Sequence, residues 1–384
     1  MVRPHGGVLV DCVPSTDAGL EAARVSDEAP RLPVDRFTAM DALNIAIGAY
    51  SPLRGFLGEK DYRSVIEGRA LSSGLTWTVP VLLHVPAGMA VRLRPGGHLT
   101  LVDSEAQPFA LLTVESVFEV GKQEYAELVF GTADTTHPGV DRLGSVPATC
   151  VGGPLTLLRE PELEGRQYFF RPSETRKLFA EKGWATVAAF HTRNVPHRAH
   201  EYLQKLALEV TDGLFVHPIV GWKKAGDFSQ RAQFETYEAL VERYYPRNRV
   251  LLGGFYCQVR YAGPREAVFH AIVRQNFGCS HIIIGRDHAG VGRFYGVYDA
   301  HRAFDAITDL EITPLRFAGP FYCRKCDGIV TERTCPHGGD DVSEISGTLV
   351  RKHVVNREPV PQYLLRPEVL EALERLATEE AFVR

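Results

Sequence analysis

The sequence predicts an α/β fold: a parallel sheet flanked by helices, preceded by a β-rich domain and followed by a small domain with a Cys/His cluster. Three observations carry this. Strand-length apolar runs alternate with helix-spaced segments from about residue 172 to 285. Residues 36–155 are rich in β-branched and aromatic runs separated by Gly- and Pro-bearing turns. Residues 323–337 gather three cysteines and a histidine. The expected division is 1–160, 161–320 and 321–384.

In the first domain, TWTVPVLLHV (76–85), AVRLRPGGHLTLVD (90–103), FALLTVESVFEV (109–120) and YAELVFG (125–131) read as strands of a small barrel or sandwich. Residues 139–158 lead out of it, and residues 1–35 suggest no particular element. Next comes a helix over 173–183, with Ser173 as N-cap and Gly183 as stop. WATVAAF (184–190) has strand length. PHRAHEYLQKLALEVTDG (196–213) reads as a helix with Pro196 in its first turn, Asn194 or Val195 at its cap and Gly213 at its end. Strands over 214–220, 249–257 and 281–285 alternate with helices over 229–245 and 263–278, and a last helix covers 367–380. Four strands joined by three helices require a parallel sheet covered on both faces. Ligands of such sheets bind beyond the carboxyl ends of the strands. That rule selects residues 191–200, 221–228, 258–264 and 285–293.

Composition narrows the function. The 384 residues are 45% apolar and 23% charged, with a net charge of -4, as in an ordinary globular protein. This balance gives no ground for nucleic-acid or anionic-membrane binding but leaves room for a local cationic pocket. No apolar run approaches the roughly 20 residues of a membrane span, and the N-terminus does not read as a signal peptide. The seven cysteines are odd in number and four are scattered, which points to a reducing, cytoplasmic setting and not to a disulfide framework.

The selected segments carry the chemistry. In HTRNVPHRAH (191–200), His197 and His200 are three apart at the start of a helix, where free N–H groups and the positive dipole end favour a triphosphate. Their imidazoles suit phosphate oxygens on which charge develops, and the Arg193 fork suits a tetrahedral oxyanion. In GRDHAGVG (285–292), glycines allow close backbone approach, and Arg286, Asp287 and His288 supply a cation, an acceptor and a donor. Arg260 and Arg265 flank a Gly-Pro turn after a third strand; Lys223, Lys224 and Asp227 follow a fourth. No nucleophile–base pair stands out. Cys323, Cys326, Cys335 and His337 suit a tetrahedral, structural Zn²⁺, since four protein ligands leave no open position.

With those residues in view, the chain resembles the sulfate adenylyltransferase (ATP sulfurylase) family from about residue 36 onward. IAIGAYSPLRGFLGEKDYRSVI (45–66), GLTWTVPVLL (74–83), RPSETRKLFAEKGW (171–184), TRNVPHRAHEYL (192–203), HPIVG (217–221), RYAGPREA (260–267), GCSHIIIGRDHAGVG (278–292), SGT (346–348) and RPEV (366–369) carry the likeness. The Cys/His cluster resembles the zinc site of a subset of members. The resemblance implies a PUA-like β-domain, a Rossmann-like nucleotidyltransferase domain and a small C-terminal domain. It implies in-line attack of sulfate on the α-phosphorus of MgATP, giving adenosine 5′-phosphosulfate and pyrophosphate, and a homo-oligomer. Carried over by position, Thr192, Arg193, Asn194, His197 and His200 are catalytic, and His191, Arg193 and the Ala289 backbone hold the acceptor. His191, Thr192, Arg193, Asn194, Gly285, Arg286, Asp287, His288 and Ala318 bind the nucleotide.

The sequence also departs from the family. Its active-site motif normally begins with Gln, whereas here it begins with His191. Trp222, the segment GGFYCQVRYAG (253–263) and LVRKHVVNRE (349–358) depart as well. These changes raise two alternatives to sulfate transfer: a different oxyanion acceptor, or a nucleotide-binding homologue without catalysis.

Overall fold

The computed structural model describes residues 1–221, 226–376 and 378–383. Trp222, Lys223 and Lys224, singled out above, lie outside the described residues.

Residues up to about 160 build a mixed sheet around the strand Thr149–Leu157, which pairs antiparallel with Gly55–Phe56, Leu83–His84, Pro108–Thr113 and Ser116–Glu119. Pro108–Thr113 pairs in turn with His98–Val102, so the strand-rich reading holds in outline. Its details change. The 76–85 run contributes only Leu83–His84 as strand. The predicted strand 125–131 is helical, with Lys122–Tyr125 followed by a π-helix over Ala126–Phe130. Packing overrides propensity there: Tyr125 stacks on Tyr62 with ring centroids 6.3 Å apart and meets Phe130 at 5.6 Å. The unassigned N-terminus forms the helix Thr16–Glu28 and the strand Arg31–Pro33. The helix Arg36–Ala46 follows, capped by Asp35, whose carboxylate accepts the Thr38 N–H at 2.8 Å.

The second unit contains β1 (Val187–Phe190), α1 (Arg198–Leu208), β2 (Gly213–Val216), α2 (Gln230–Tyr244), β3 (Val250–Leu252), α3 (Pro264–Asn276), β4 (His281–Ile284) and β5 (Thr313–Arg316). The strands lie in the order β3-β2-β1-β4-β5, and every pairing is parallel. The order reverses between β1 and β4, so a crevice opens beyond their carboxyl ends. β5 escapes the sequence reading because it is an edge strand, half-exposed, with Leu315 as its one large apolar residue.

Several boundaries are corrected. The long runs 214–220 and 249–257 each break: Ile219–Val220 leaves β2 to pair with Phe255–Tyr256 in a separate two-stranded ladder. α1 begins at Arg198, with His197 as its N-cap in place of Asn194 or Val195. Gly213 does not end α1; it opens β2, and a Cβ there would lie 2.3 Å from the Trp184 indole. The glycine serves sheet packing. The helix 173–183 is capped by Arg171, not Ser173; Pro172 takes its first position, and Gly183 follows at φ +71.

Residues after 320 form a three-stranded antiparallel sheet of Gly328–Val330, Phe321–Cys323 and Val342–Glu344, then the helices Gly347–Asn356 and Pro367–Arg375. The expected helix 367–380 is therefore shorter, with a separate turn at Thr378–Ala381. Two cores result. One face of the parallel sheet packs through α3 onto the first domain. The other covers α1 and α2 and is continuous with Val350, Val369 and Leu373 of the C-terminal segment. Glu201 of α1, buried, binds Arg366 at 2.7 Å and Lys205 at 2.6 Å. Among the described residues, no helix is long and apolar enough to cross a membrane.

Candidate active site

A cleft of about 590 Å³ occupies the crevice between β1 and β4. His191, Thr192, Arg193, Asn194, His197, His200, Gly285, Arg286, Asp287, His288 and Ala289 line it, so the two strand-end segments of greatest interest meet in space. Ala318 is buried one residue before the lining pair Gly319–Pro320 and is not itself part of the lining.

The turn after β1 is held by its own polar groups. Thr192 Oγ1 accepts the Asn194 N–H at 3.1 Å. Asn194 packs on Gly347, where a Cβ would come 2.7 Å from its Cγ; only glycine admits this approach of the Gly347–Asn356 helix to the cleft. Ser346 caps that helix, its Oγ accepting the Leu349 N–H at 3.3 Å. The first turns of two helices therefore border the cleft, and such turns favour anions.

His197 Nδ1 accepts the His200 N–H at 3.3 Å, and the two rings stack with centroids 3.5 Å apart. Burial pushes the His197 imidazole down to about 3. Burial, with His197 beside it, holds His200 well below the usual histidine range. Both rings are neutral near pH 7, and His197 carries its proton on Nε2 because Nδ1 is an acceptor.

Arg193 lies 5.3 Å from the centre of the Tyr261 ring. Asp287 is the one carboxylate lining the cleft among the described residues. Burial raises its pKa, partly offset by Arg193 and Arg286. Tyr261, Asp287 and Ala289 all adopt left-handed backbone, at φ 59, 55 and 59. The Ala289 carbonyl accepts the Gly263 N–H at 3.2 Å, tying two strand-end loops together. Asp287 and Ala289 line the cleft and Tyr261 lies against Arg193, and backbone held in this region is common at ligand sites.

Among the described residues, the charged groups of the other two strand-end loops are already paired or turned away from the cleft. Arg260 is buried in an ion pair with Asp41 at 2.8 Å. Arg265 is turned into the first domain, donating to the Val65, Thr78 and Ile66 carbonyls. Asp227 binds Arg351 at 3.0 Å. The helix α3 was expected, but sequence reasoning missed that, buried along nearly its whole length, it brings His270 into the cleft lining. His270 Nδ1 lies 3.3 Å from His288 Nε2, and its Nε2 lies 3.5 Å from the buried Glu266 carboxylate. Glu266, His270 and Arg274, spaced every fourth position with only apolar residues between them, were the available signal.

Away from the cleft, Cys323, Cys326, Cys335 and His337 converge. The His337 Nδ1 lies 3.4 Å from Cys323 Sγ, 3.4 Å from Cys326 Sγ and 3.5 Å from Cys335 Sγ, and the Cys326–Cys335 sulfurs are 3.6 Å apart. These spacings are close to the edges of a tetrahedron with bonds of about 2.0–2.3 Å, roughly 3.5–3.8 Å. The Cys326 and His337 N–H groups point at Cys323 and Cys335 sulfurs at 3.4 Å, an outer shell that suits thiolates.

Comparison with known proteins agrees with this architecture. The family model described as ATP-sulfurylase matches residues 166–376, and that of a PUA-like domain matches residues 2–160. The sulfate adenylyltransferase of Hyperthermus butylicus is 46% identical over 374 residues, 97% of this chain and 95% of that protein. That of Staphylothermus marinus is 44% identical over 381 residues, 99% of each chain. A solved structure, the hexameric APS kinase from Thiobacillus denitrificans, superposes with a TM-score of 0.76 at 23% identity, covering 98% of this chain and 68% of that one. At that identity the likeness concerns the fold.

Proposed function

The chain belongs to the ATP-sulfurylase family, and from that premise we propose how its cleft carries out the reaction. It is a nucleotidyltransferase, a sulfate adenylyltransferase, converting ATP and sulfate to adenosine 5′-phosphosulfate and pyrophosphate. A sulfate oxygen forms a bond to the α-phosphorus in line as the bond to the bridging oxygen of pyrophosphate breaks. No covalent enzyme intermediate is needed, so the protein contributes positioning and charge stabilisation.

The observation that carries this reading is the meeting of the β1 and β4 loops at the point where the strand order reverses. Arg193, His191 and the Ala289 backbone hold sulfate. Gly285, Arg286, Asp287 and His288 hold the nucleotide, with Ala318 behind Gly319. Thr192 and Asn194 fix the turn. His197 and His200, both neutral, donate N–H groups to the α-phosphate and the departing pyrophosphate, where negative charge grows. Mg²⁺ enters with ATP as part of the substrate; a single lining carboxylate, itself raised in pKa, is too little to hold it alone.

Zn²⁺ at Cys323, Cys326, Cys335 and His337 is the structural part of the same reading, supported by the donor set and spacings. The division into 1–160, 161–320 and 321–384 and a homo-oligomeric state complete it; light scattering of the purified chain tests the latter.

Pyrophosphate release from MgATP with sulfate as sole acceptor, beside an Arg193→Ala control, tests the assignment. Release that depends on Arg193 is expected, and release that persists in the variant would refute the site. A second reading, a different oxyanion acceptor, is favoured by the imidazole at 191. Turnover compared across sulfate, selenate, phosphonates and sulfonates separates the two, and a clear preference for sulfate ends the second.

A further inference from the structure

Arg274 is fully buried on α3. Its guanidinium lies 4.5 Å from the centre of the Phe255 ring and donates to the His217 carbonyl at 3.2 Å; Nε and Nη1 make no hydrogen bond among the described residues. Burial lowers it only to about 10, so it remains charged at neutral pH. Its Nη2 lies 2.7 Å from His191 Nδ1. A guanidinium nitrogen has hydrogens to give and no lone pair to accept with. His191 Nδ1 must therefore be the acceptor, and the proton of the neutral ring sits on Nε2. With Nδ1 engaged, Nε2–H is the group this cleft-lining ring has left for a ligand.

We propose that Arg274 is a positioning residue that fixes His191 in its Nε2–H tautomer, so that the ring offers the acceptor oxyanion a constant, neutral hydrogen-bond donor. The inference rests on the reading of His191 as an acceptor contact. The surroundings of His191 act in one direction. His270 stacks on it at 3.8 Å between centroids, His288 lies at 5.4 Å, and Arg274 and His217 complete the shell. Burial first, and then these neighbours, disfavour an imidazolium. Glu266, the carboxylate beside His270, is committed to the Arg260 and Ala262 N–H groups and to His270.

The same three rings have a competing use. One nitrogen each of His191, His270 and His288 lies within 4.8 Å of the others, a spacing that also suits a metal. Arg274 argues against that use. A metal on Nε2, with Nδ1 already accepting from a guanidinium, would require an imidazolate, and a dication would stand close to Arg274 and Arg193. The arrangement selects an anion.

Two measurements test it. Long-range ¹⁵N–¹H correlation of the histidine-labelled full chain, with His191→Gln for assignment, reads the tautomer directly. Protonated Nε2 and bare Nδ1, unchanged from about pH 6 to 8 across the usual histidine range, are expected. A protonated Nδ1, or titration within that range, would overturn the proposal. This readout needs no turnover, so its failure is distinct from failure of the transferase reading, which absent pyrophosphate release would show. The second is a double-mutant cycle on KM for sulfate. Arg274→Met should raise KM about tenfold in the parent and less than about twofold beside His191→Gln, whose amide donates without help. Arg274→Lys, which keeps a cationic donor, should recover most of the loss. An equal rise in both backgrounds would show that Arg274 acts on sulfate by another route and would reject the proposal.

Discussion

Histidine serves the cleft and the cysteine knuckle in opposite ways. In the cleft, among the described residues, five lining histidines stand near Arg193, Arg274 and Arg286 with Asp287 as the one lining carboxylate, and burial keeps each histidine below its usual protonation range. At the knuckle, His337 stands among three thiols at 3.4–3.5 Å. Arginines and helix starts turn an imidazole into a donor for anions. Neighbouring thiols suit it to the ligand set proposed for a cation. The side chain is the same, and its neighbours decide the chemistry.

The sharpest way to break this comparison is to remove a cation from the cleft. Arg193→Ala should lower pyrophosphate release by about three orders of magnitude, within the range set by loss of a donor at developing charge. Its melting temperature should match the parent within a degree or so, since the half-buried Arg193 side chain lines an open cleft and fills no core position. A matching loss of stability would mean that Arg193 is structural. The converse experiment is at the knuckle. Cys326→Ser should lose bound zinc and lower the melting temperature by about 5 °C or more. Metal analysis beside thermal unfolding checks this, and unchanged zinc would contradict the ligand set.

Acid should reveal the cleft next. The ordinary histidine value is 6.5, and folded His197 lies at about 3, so the unfolded chain takes up the proton first as pH falls. The contribution of this neutral ring to stability is complete above pH 6.5 and is lost progressively toward pH 3. His191, His200, His217 and His288 act in the same direction. Denaturant midpoints should therefore fall below pH 6.5, and more gently in a His197→Asn variant. An identical slope would remove His197 from the account. The smallest effect is expected at Gly347→Ala, where the added Cβ must push Asn194 aside. We expect turnover to fall by about threefold to tenfold with little change in stability, because displacement of a positioning group acts mainly on geometry.

Legibility in the sequence followed the range of the interactions involved. The cleft loops were legible because strand, polar turn and helix succeed one another within a few residues. The knuckle was legible because its three cysteines and histidine lie between residues 323 and 337. Arg260 and Arg265 misled for the opposite reason: their partners Asp41, Val65 and Ile66 lie about two hundred positions away. The strand expected at 125–131 failed because its Tyr125 packs on Tyr62, far away in the sequence.

The sequence alone determined the class of fold, the strand-end segments that line the cleft and the Cys/His cluster, because each is written in local periodicity and short spacing. Only the tertiary structure decided the strand order that brings the β1 and β4 loops together, the approach of Gly347 to Asn194 and the union of Arg274 with His191. Those depend on which distant segments share a core. Burial, which sets both the charge of a histidine and the site of its proton, exists only once that core has closed.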